Sequence, residues 1–199
     1  MRIGVLALQG AISEHINLLK KCGVEPVEVK YPDQLDSISG LILPGGESTA
    51  IGRLLERYSF IEKIKDLAKK GRIALYGTCA GMVLLSTDTG CGEVSPYTLG
   101  LMDIRVKRNA FGRQRESFEA GLKVSGLGEK DFPAVFIRAP VVSEAGKDVE
   151  ILSKYENRIV AVRQGNILAA SFHPELTGDK RFHEYFIKTV VGADKSAPV

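Results

Sequence analysis

Hydrophobic residues recur along this chain with two different periods. Ile3-Gly4-Val5-Leu6-Ala7-Leu8 is an unbroken apolar run within residues 2–8, the pattern of a strand buried on both faces. Over residues 11–22, Ile12, Ile16 and Leu19 return at three- and four-residue intervals, which predicts a helix. Val27 and Val29 mark a short strand, and Leu41-Ile42-Leu43 a buried one. Residues 48–70 carry two helical patterns interrupted near Tyr58-Ser59. Ile73-Ala74-Leu75-Tyr76 is another buried strand, with a helix over 79–87 after it. Strands and helices in alternation predict a parallel sheet covered by helices on both faces.

The pattern changes in the second half. Ile104 and Val106 face one way, while Asp103, Arg105 and Lys107 face the other, so residues 99–107 read as a half-buried strand. Further short strands are expected at 118–125, 134–138, 149–153, 158–164 and 166–172. This part should be antiparallel or mixed. Residues 179–191 form a closing helix, and 193–199 a frayed tail. The expected fold class is therefore α/β in three layers. It has a mostly parallel central sheet, helices on both faces and antiparallel strands in the second half. No repeat or linker divides it, so residues 1–192 make one domain.

Composition narrows the picture little. With 199 residues, 44% of them hydrophobic and 26% charged, the chain can pack a core. A net charge of +3 is too small to demand a nucleic-acid or membrane partner. No apolar run approaches the ~20 residues that span a bilayer, and nothing at the start resembles a signal peptide. A soluble cytoplasmic protein is expected. The three cysteines, Cys22, Cys79 and Cys91, are odd in number and widely spaced. That argues against a disulfide framework or a zinc knuckle.

One cysteine has special surroundings. Gly77-Thr78-Cys79-Ala80-Gly81 follows a buried strand and opens a helix, the cysteine counterpart of the G-x-S-x-G nucleophile elbow. Such a turn forces its central residue into an unfavourable backbone conformation, and flanking glycines remove the Cβ atoms that would clash. It lifts the sulfur above the strand ends, where the helix N-terminus favours a thiolate. The Ala80 N–H is placed to stabilise an oxyanion. Taken alone, the pentapeptide also fits a buried cysteine in an ordinary glycine-rich turn.

A thiol nucleophile needs a base, and the base needs an orienter. His173 lies in Ser171-Phe172-His173-Pro174-Glu175, after the apolar strand Ile167–Phe172. In extended chain residues i and i+2 share a side, so Glu175 can hold the His173 ring. Pro174 should end the strand. His15 reads as a satisfied, partly buried histidine of the first helix. His183, among Arg181, Glu184 and Lys188, reads as part of a solvated face.

Two further segments carry candidate chemistry. Leu43-Pro44-Gly45-Gly46-Glu47-Ser48-Thr49 is a glycine loop where backbone N–H groups can approach a ligand, and Ser48 could cap the next helix. It lacks the Lys and the spacing of a Walker A loop. Arg105, Lys107, Arg108, Arg113 and Arg115 form a basic run. It suits a solvated face or a carboxylate-binding arginine. Arg138, in Phe136-Ile137-Arg138-Ala139-Pro140, sits at another strand end.

Together these segments resemble the class I glutamine amidotransferases, which use a Cys-His-Glu triad. Within that family the chain looks most like the glutaminase subunits of two-component pyridoxal 5′-phosphate synthases. The elbow and His-x-Glu are shared by the whole family. Arg108-Asn109-Ala110-Phe111-Gly112-Arg113-Gln114 and Phe136 to Pro140 are similar to the subfamily alone. Sister enzymes usually carry Leu and Gln where Ala80 and Val83 stand here.

The resemblance implies that Cys79 attacks the side-chain amide of L-glutamine, with His173 as base and Glu175 as its orienter. It further implies that Gly46, Glu47, Ser48, Arg108, Ile137 and Arg138 bind the substrate. The backbone of Gly45, Gly46 and Ala80 would form the oxyanion hole. No metal or organic cofactor is implied. The implied partner is the synthase subunit, a (β/α)₈ barrel that takes the ammonia in a hetero-oligomer. Three rivals remain: a glutaminase of another pathway, such as imidazole glycerol phosphate synthase; a non-catalytic subunit on the same fold; and a peptidase on a related one.

Overall fold

The computed structural model describes residues 1–88, 97–112 and 116–192. Cys91, Arg113, Arg115 and the expected tail at 193–199 lie outside the described residues. In chain order the first half holds β1 (Arg2–Leu6), α1 (Ile12–Lys21), β2 (Glu25–Val29), β3 (Gly40–Leu43), α2 (Ser48–Arg57), α3 (Phe60–Lys69), β4 (Ala74–Thr78), α4 (Ala80–Leu85) and β5 (Ser86–Asp88). The second half holds β6 (Met102–Lys107), β7 (Ser117–Leu122), β8 (Phe132–Ile137), β9 (Val141–Ala145), β10 (Glu150–Tyr155), β11 (Arg158–Gln164), β12 (Ile167–Ala170) and α5 (Arg181–Tyr185). A π-helical segment, Phe186–Val191, continues α5.

The strands assemble in the order β2-β1-β3-β4-β12-β11-β9-β6-β5, with β10 paired to β11. From β2 to β12 all neighbours are parallel. From β12 to β6 they are antiparallel. β7 and β8 form a separate antiparallel ribbon.

Side-chain alternation along the strands creates two cores. Leu41, Leu43 and Leu75 point to the face covered by Ile51 of α2, Phe60 of α3 and Met82 of α4. Ile42, Ala74 and Tyr76 point to the opposite face, against Leu19 of α1, Phe182 of α5 and Phe132 and Phe136 of the ribbon. Helices on both faces of one mostly parallel sheet are the three-layer architecture expected. Among the described residues, no helix is long and apolar enough to cross a membrane.

The α2–α3 break falls at Ser59, as expected, with a left-handed φ of 60°. Elsewhere the elements depart from expectation. The helix after Cys79 stops at Leu85, and residues 86–88 join the sheet edge as β5. β9 had no sequence signal, because Val141-Val142-Ser143-Glu144-Ala145 does not alternate. Its neighbours β6 and β11 supply the pairing that its own pattern lacks.

Phe60 is fully buried in the first core. Phe60→Ala should lower unfolding free energy by about 3–5 kcal/mol, read from urea titration. A loss below about 1 kcal/mol would contradict this packing.

Candidate active site

β4 delivers Cys79 to the carboxyl edge of the sheet, where ligands of open α/β folds bind. Cys79 adopts φ 49° and ψ −101° between β4 and α4, a conformation disfavoured for a residue with a side chain. Its N–H donates to the Ala170 carbonyl at 2.8 Å, and its carbonyl accepts from Met82 N–H at 3.1 Å. Two glycines let the strand and helix meet this closely. A Cβ at Gly81 would stand 2.1 Å from the Leu43 carbonyl oxygen, and one at Gly77 would stand 2.5 Å from the Gly81 carbonyl carbon. The Cys79 Sγ lies 3.8 Å from the Ile137 carbonyl oxygen.

β12 brings His173 beside it. Ala170 pairs with Thr78 in parallel register, so the chains continuing from these two residues emerge side by side. His173 N–H then donates to the Val135 carbonyl of β8 at 2.8 Å. Glu175 holds the His173 ring, with Nδ1 and Oε1 2.7 Å apart, but not through an extended i, i+2 pair. The strand ends at Ala170, and Pro174-Glu175-Leu176 is a short 3₁₀ turn capped by His173. Pro174 sits at its first position, where a missing N–H costs nothing.

Both partners are buried, His173 at 7% and Glu175 at 5% exposure. Burial opposes a charged His173, but hydrogen bonds with Cys79 and Glu175 outweigh it and lift its pKa to about 10. Burial pushes the Glu175 carboxyl up, yet His15 and His173 more than offset this and hold it below its usual value.

Cys79 and His173 open onto a cleft of about 320 Å³, which Gly46, Glu47, Ser48, Ala80, Arg108, Ile137 and Arg138 also line. Gln9, Val83, Asn109 and Pro140 complete it; the sequence reading gave these four no role in the site. Like Cys79, Asn109 (φ 49°) and Arg138 (φ 43°) are left-handed, a form of backbone strain that gathers at functional sites.

The glycine loop is held from several sides. Gly45 packs on the His173 ring, for a Cβ there would stand 2.3 Å from His173 Cε1. Its N–H donates to Thr78 Oγ1 at 3.0 Å, so this group is already engaged and does not suit the oxyanion role expected of it. Its carbonyl accepts from Ala11 N–H at 3.1 Å. The α2 cap is Glu47, and not Ser48 as expected. The Glu47 carboxylate accepts from Thr49 N–H at 2.9 Å and Ala50 N–H at 2.7 Å. Its Oε1 lies 3.5 Å from Arg108 Nη2. Burial pushes the Glu47 carboxyl up, but those N–H groups and Arg108 leave it below the usual range.

Arg105 is ion-paired with Asp88 and Glu144 at the exposed surface, in keeping with the solvated-face reading. The rest of the expected map changes in two ways. His15 is completely buried rather than partly so. His183 is completely buried too, and not on a solvated face. It shares a helical face with Phe186 and Ile187, a spacing visible in the sequence. Among the described residues, no group of three or more His, Cys, Asp or Glu is arranged to hold a metal ion.

Comparison with known proteins agrees with this fold. The model of the SNO glutamine amidotransferase family matches residues 5–192. A protein of Dehalococcoides mccartyi (strain CBDB1), named pyridoxal 5′-phosphate synthase subunit PdxT, is 60% identical over 190 residues, covering 94% of this chain and 96% of its own. A protein of the same name from Geobacillus sp. (strain WCH70) is 56% identical over 190 residues, covering 96% and 97%. A crystal structure titled glutamine amidotransferase matches with a TM-score of 0.89 at 46% identity, covering 96% of this chain and 98% of that one.

The Glu175 pKa gives a pH prediction. A carboxyl with a lower pKa folded than unfolded contributes stability above its unfolded value, and this is lost as pH falls through the folded value. Urea midpoints should therefore drop as pH falls below the unfolded value of 4.5. Glu175→Gln should show a shallower drop across that window, and an unchanged slope would contradict the assignment.

Proposed function

Since the chain belongs to the SNO glutamine amidotransferase family, we propose that it hydrolyses L-glutamine to L-glutamate and ammonia for pyridoxal 5′-phosphate synthesis, with Cys79, His173 and Glu175 as its triad. The observation that carries this reading is the strained Cys79 beside a Glu175-held His173, at a cleft lined by two arginines.

The chemistry follows from the arrangement. With its pKa at about 10, His173 already carries the thiol proton when Cys79 Sγ attacks the amide carbon. The tetrahedral oxyanion is met by the N–H groups of Ala80 and Gly46; a donor of this kind contributes on the order of 10²–10³ in rate. Ala80 opens α4, so its N–H has no intrahelical acceptor. His173 returns the proton to the departing ammonia. Water, activated by the same imidazole, then hydrolyses the glutamyl thioester to glutamate. Arg108 and Arg138 neutralise the substrate's α-carboxylate, and Glu47 attracts its α-ammonium. Gly46, Ser48 and Ile137 complete the pocket for this end.

The ammonia passes to a synthase subunit, a (β/α)₈ barrel in the same hetero-oligomer. The names of the relatives, subunits of a pyridoxal 5′-phosphate synthase, support this partner. The free subunit is nearly idle. Docking near Gln9-Gly10 and α1 resets the Gly45-Gly46 backbone, which Ala11 N–H holds through the Gly45 carbonyl. The setting is the cytoplasm, consistent with the absence of a membrane-crossing helix among the described residues.

Ammonia release from glutamine tests the reading directly. Cys79→Ala should abolish it and prevent labelling by a glutamine-analogue electrophile; residual turnover near wild type would sink the triad. Arg138→Ala should raise KM about tenfold to a hundredfold, the worth of a charge-assisted hydrogen bond. Adding the synthase should raise the wild-type rate, and equal rates with and without it would refute partner control.

A further inference from the structure

Two buried histidines lie behind the triad, and the reaction above uses neither. His15 on α1 and His183 on α5 are both fully buried. His15 Nδ1 stands 2.8 Å from His183 Nε2. On its other side, His15 Nε2 stands 3.2 Å from Thr78 Oγ1 and 3.5 Å from Glu175 Oε2. Glu175 thus faces a histidine with each oxygen: His173 with Oε1, and His15 with Oε2. Oε2 is buried and makes no hydrogen bond among the described residues, so what faces it from His15 is an electrostatic contact.

We propose that His15 is a positioning residue of the triad: its Nε2–H restrains the second oxygen of Glu175, and His183 fixes the tautomer that makes this possible. The inference rests on the triad reading above.

A count of protons supports it. An Nε2 lone pair on His15 would face the Glu175 carboxylate and be repelled by it, whereas an Nε2–H is attracted to both Oε2 and Thr78 Oγ1. With Nε2 protonated, a neutral His15 presents a lone pair at Nδ1, and His183 Nε2–H donates to it. His183 Nδ1 is then a bare lone pair, and it is the ring nitrogen left without a partner. The opposite tautomers would leave a buried N–H at that position, the rarer and costlier defect. Burial disfavours the charged form of both rings, lowering His15 and lowering His183 further, so both are neutral donors and acceptors at neutral pH. The remaining titratable groups facing the pair are Glu14 and His173 toward His15, and Tyr76 from β4.

The arrangement matters for catalysis because a carboxylate bound at one oxygen can rotate away from its imidazole. Restraining Oε2 keeps Oε1 on His173 Nδ1 and preserves the ring orientation that the thiol requires. Thr78 extends the coupling, since its hydroxyl accepts from Gly45 N–H while facing His15.

The test compares His15→Leu with His15→Gln in the full chain assembled with its synthase. His15→Leu should cut kcat about tenfold or more, part of the ~10²–10⁴ that a well-placed base supplies, with KM little changed. The acid limb of its kcat/KM profile should move to higher pH, because the Glu175 carboxylate loses a donor. His15→Gln can present an amide N–H to the same oxygen and should recover most of the rate. A folded His15→Leu with wild-type kcat and profile overturns the proposal, as does a folded His15→Gln no better than Leu. Should these variants not fold, ¹⁵N-histidine NMR of the wild type decides. A neutral Nε2–H His15 at neutral pH supports the proposal, and an Nδ1–H or charged ring there overturns it. Failure of the triad reading would show separately, as glutaminase activity surviving Cys79→Ala.

Discussion

A carboxylate taken out of water has to be met by donors, and Glu175 sets this demand at the centre of the molecule. An isolated ion in such a place is prohibitively costly. Donors therefore converge on it from separate parts of the chain: His173 from the 3₁₀ turn and His15 from α1. The turn at Pro174, the packing of α1 against that turn and the burial of His183 all serve that convergence. A carboxylate so enclosed is a rigid base on which a catalytic imidazole can be oriented.

The second constraint is closeness of backbone. Parallel pairing of β4 with β12 places Thr78 opposite Ala170, so Cys79 and His173 emerge from adjacent strand ends. α4 crosses β3 with no room for a side chain at Gly81, and the loop at Gly45 rests directly on the His173 ring. These glycines are fixed by contact, which is why loop and base share one geometry.

Much of this was legible in the chain. The apolar runs at β1, β3 and β4 and the helical spacing of α1 announced the parallel half. The elbow around Cys79 and the His173–Glu175 pair announced the side chains that the structure brings together. What could not be read depended on tertiary partners. Nothing in Val141–Ala145 alternates, so β9 exists only through its neighbours. The His173–Glu175 contact was expected for the wrong reason, since an extended strand and a 3₁₀ turn can both bring residues 173 and 175 together. Charged neighbours disguised His183, although its spacing to Phe186 and Ile187 carried the contrary signal. Thr78 sat inside the recognised motif without a visible role, because its hydroxyl acts on Gly45 and His15, which are distant in sequence.

The β7–β8 ribbon stands apart from the main sheet, yet it walls Cys79 and His173. It does so through its main chain: the Val135 carbonyl fixes His173 N–H, and the Ile137 carbonyl faces the thiol. Peptide groups are common to all residues, so this support does not depend on which side chains the ribbon bears. Substitution along it can therefore retune what the cleft prefers while the reacting atoms stay where they are. In such a scaffold, reactivity is inherited and selectivity is free to diverge.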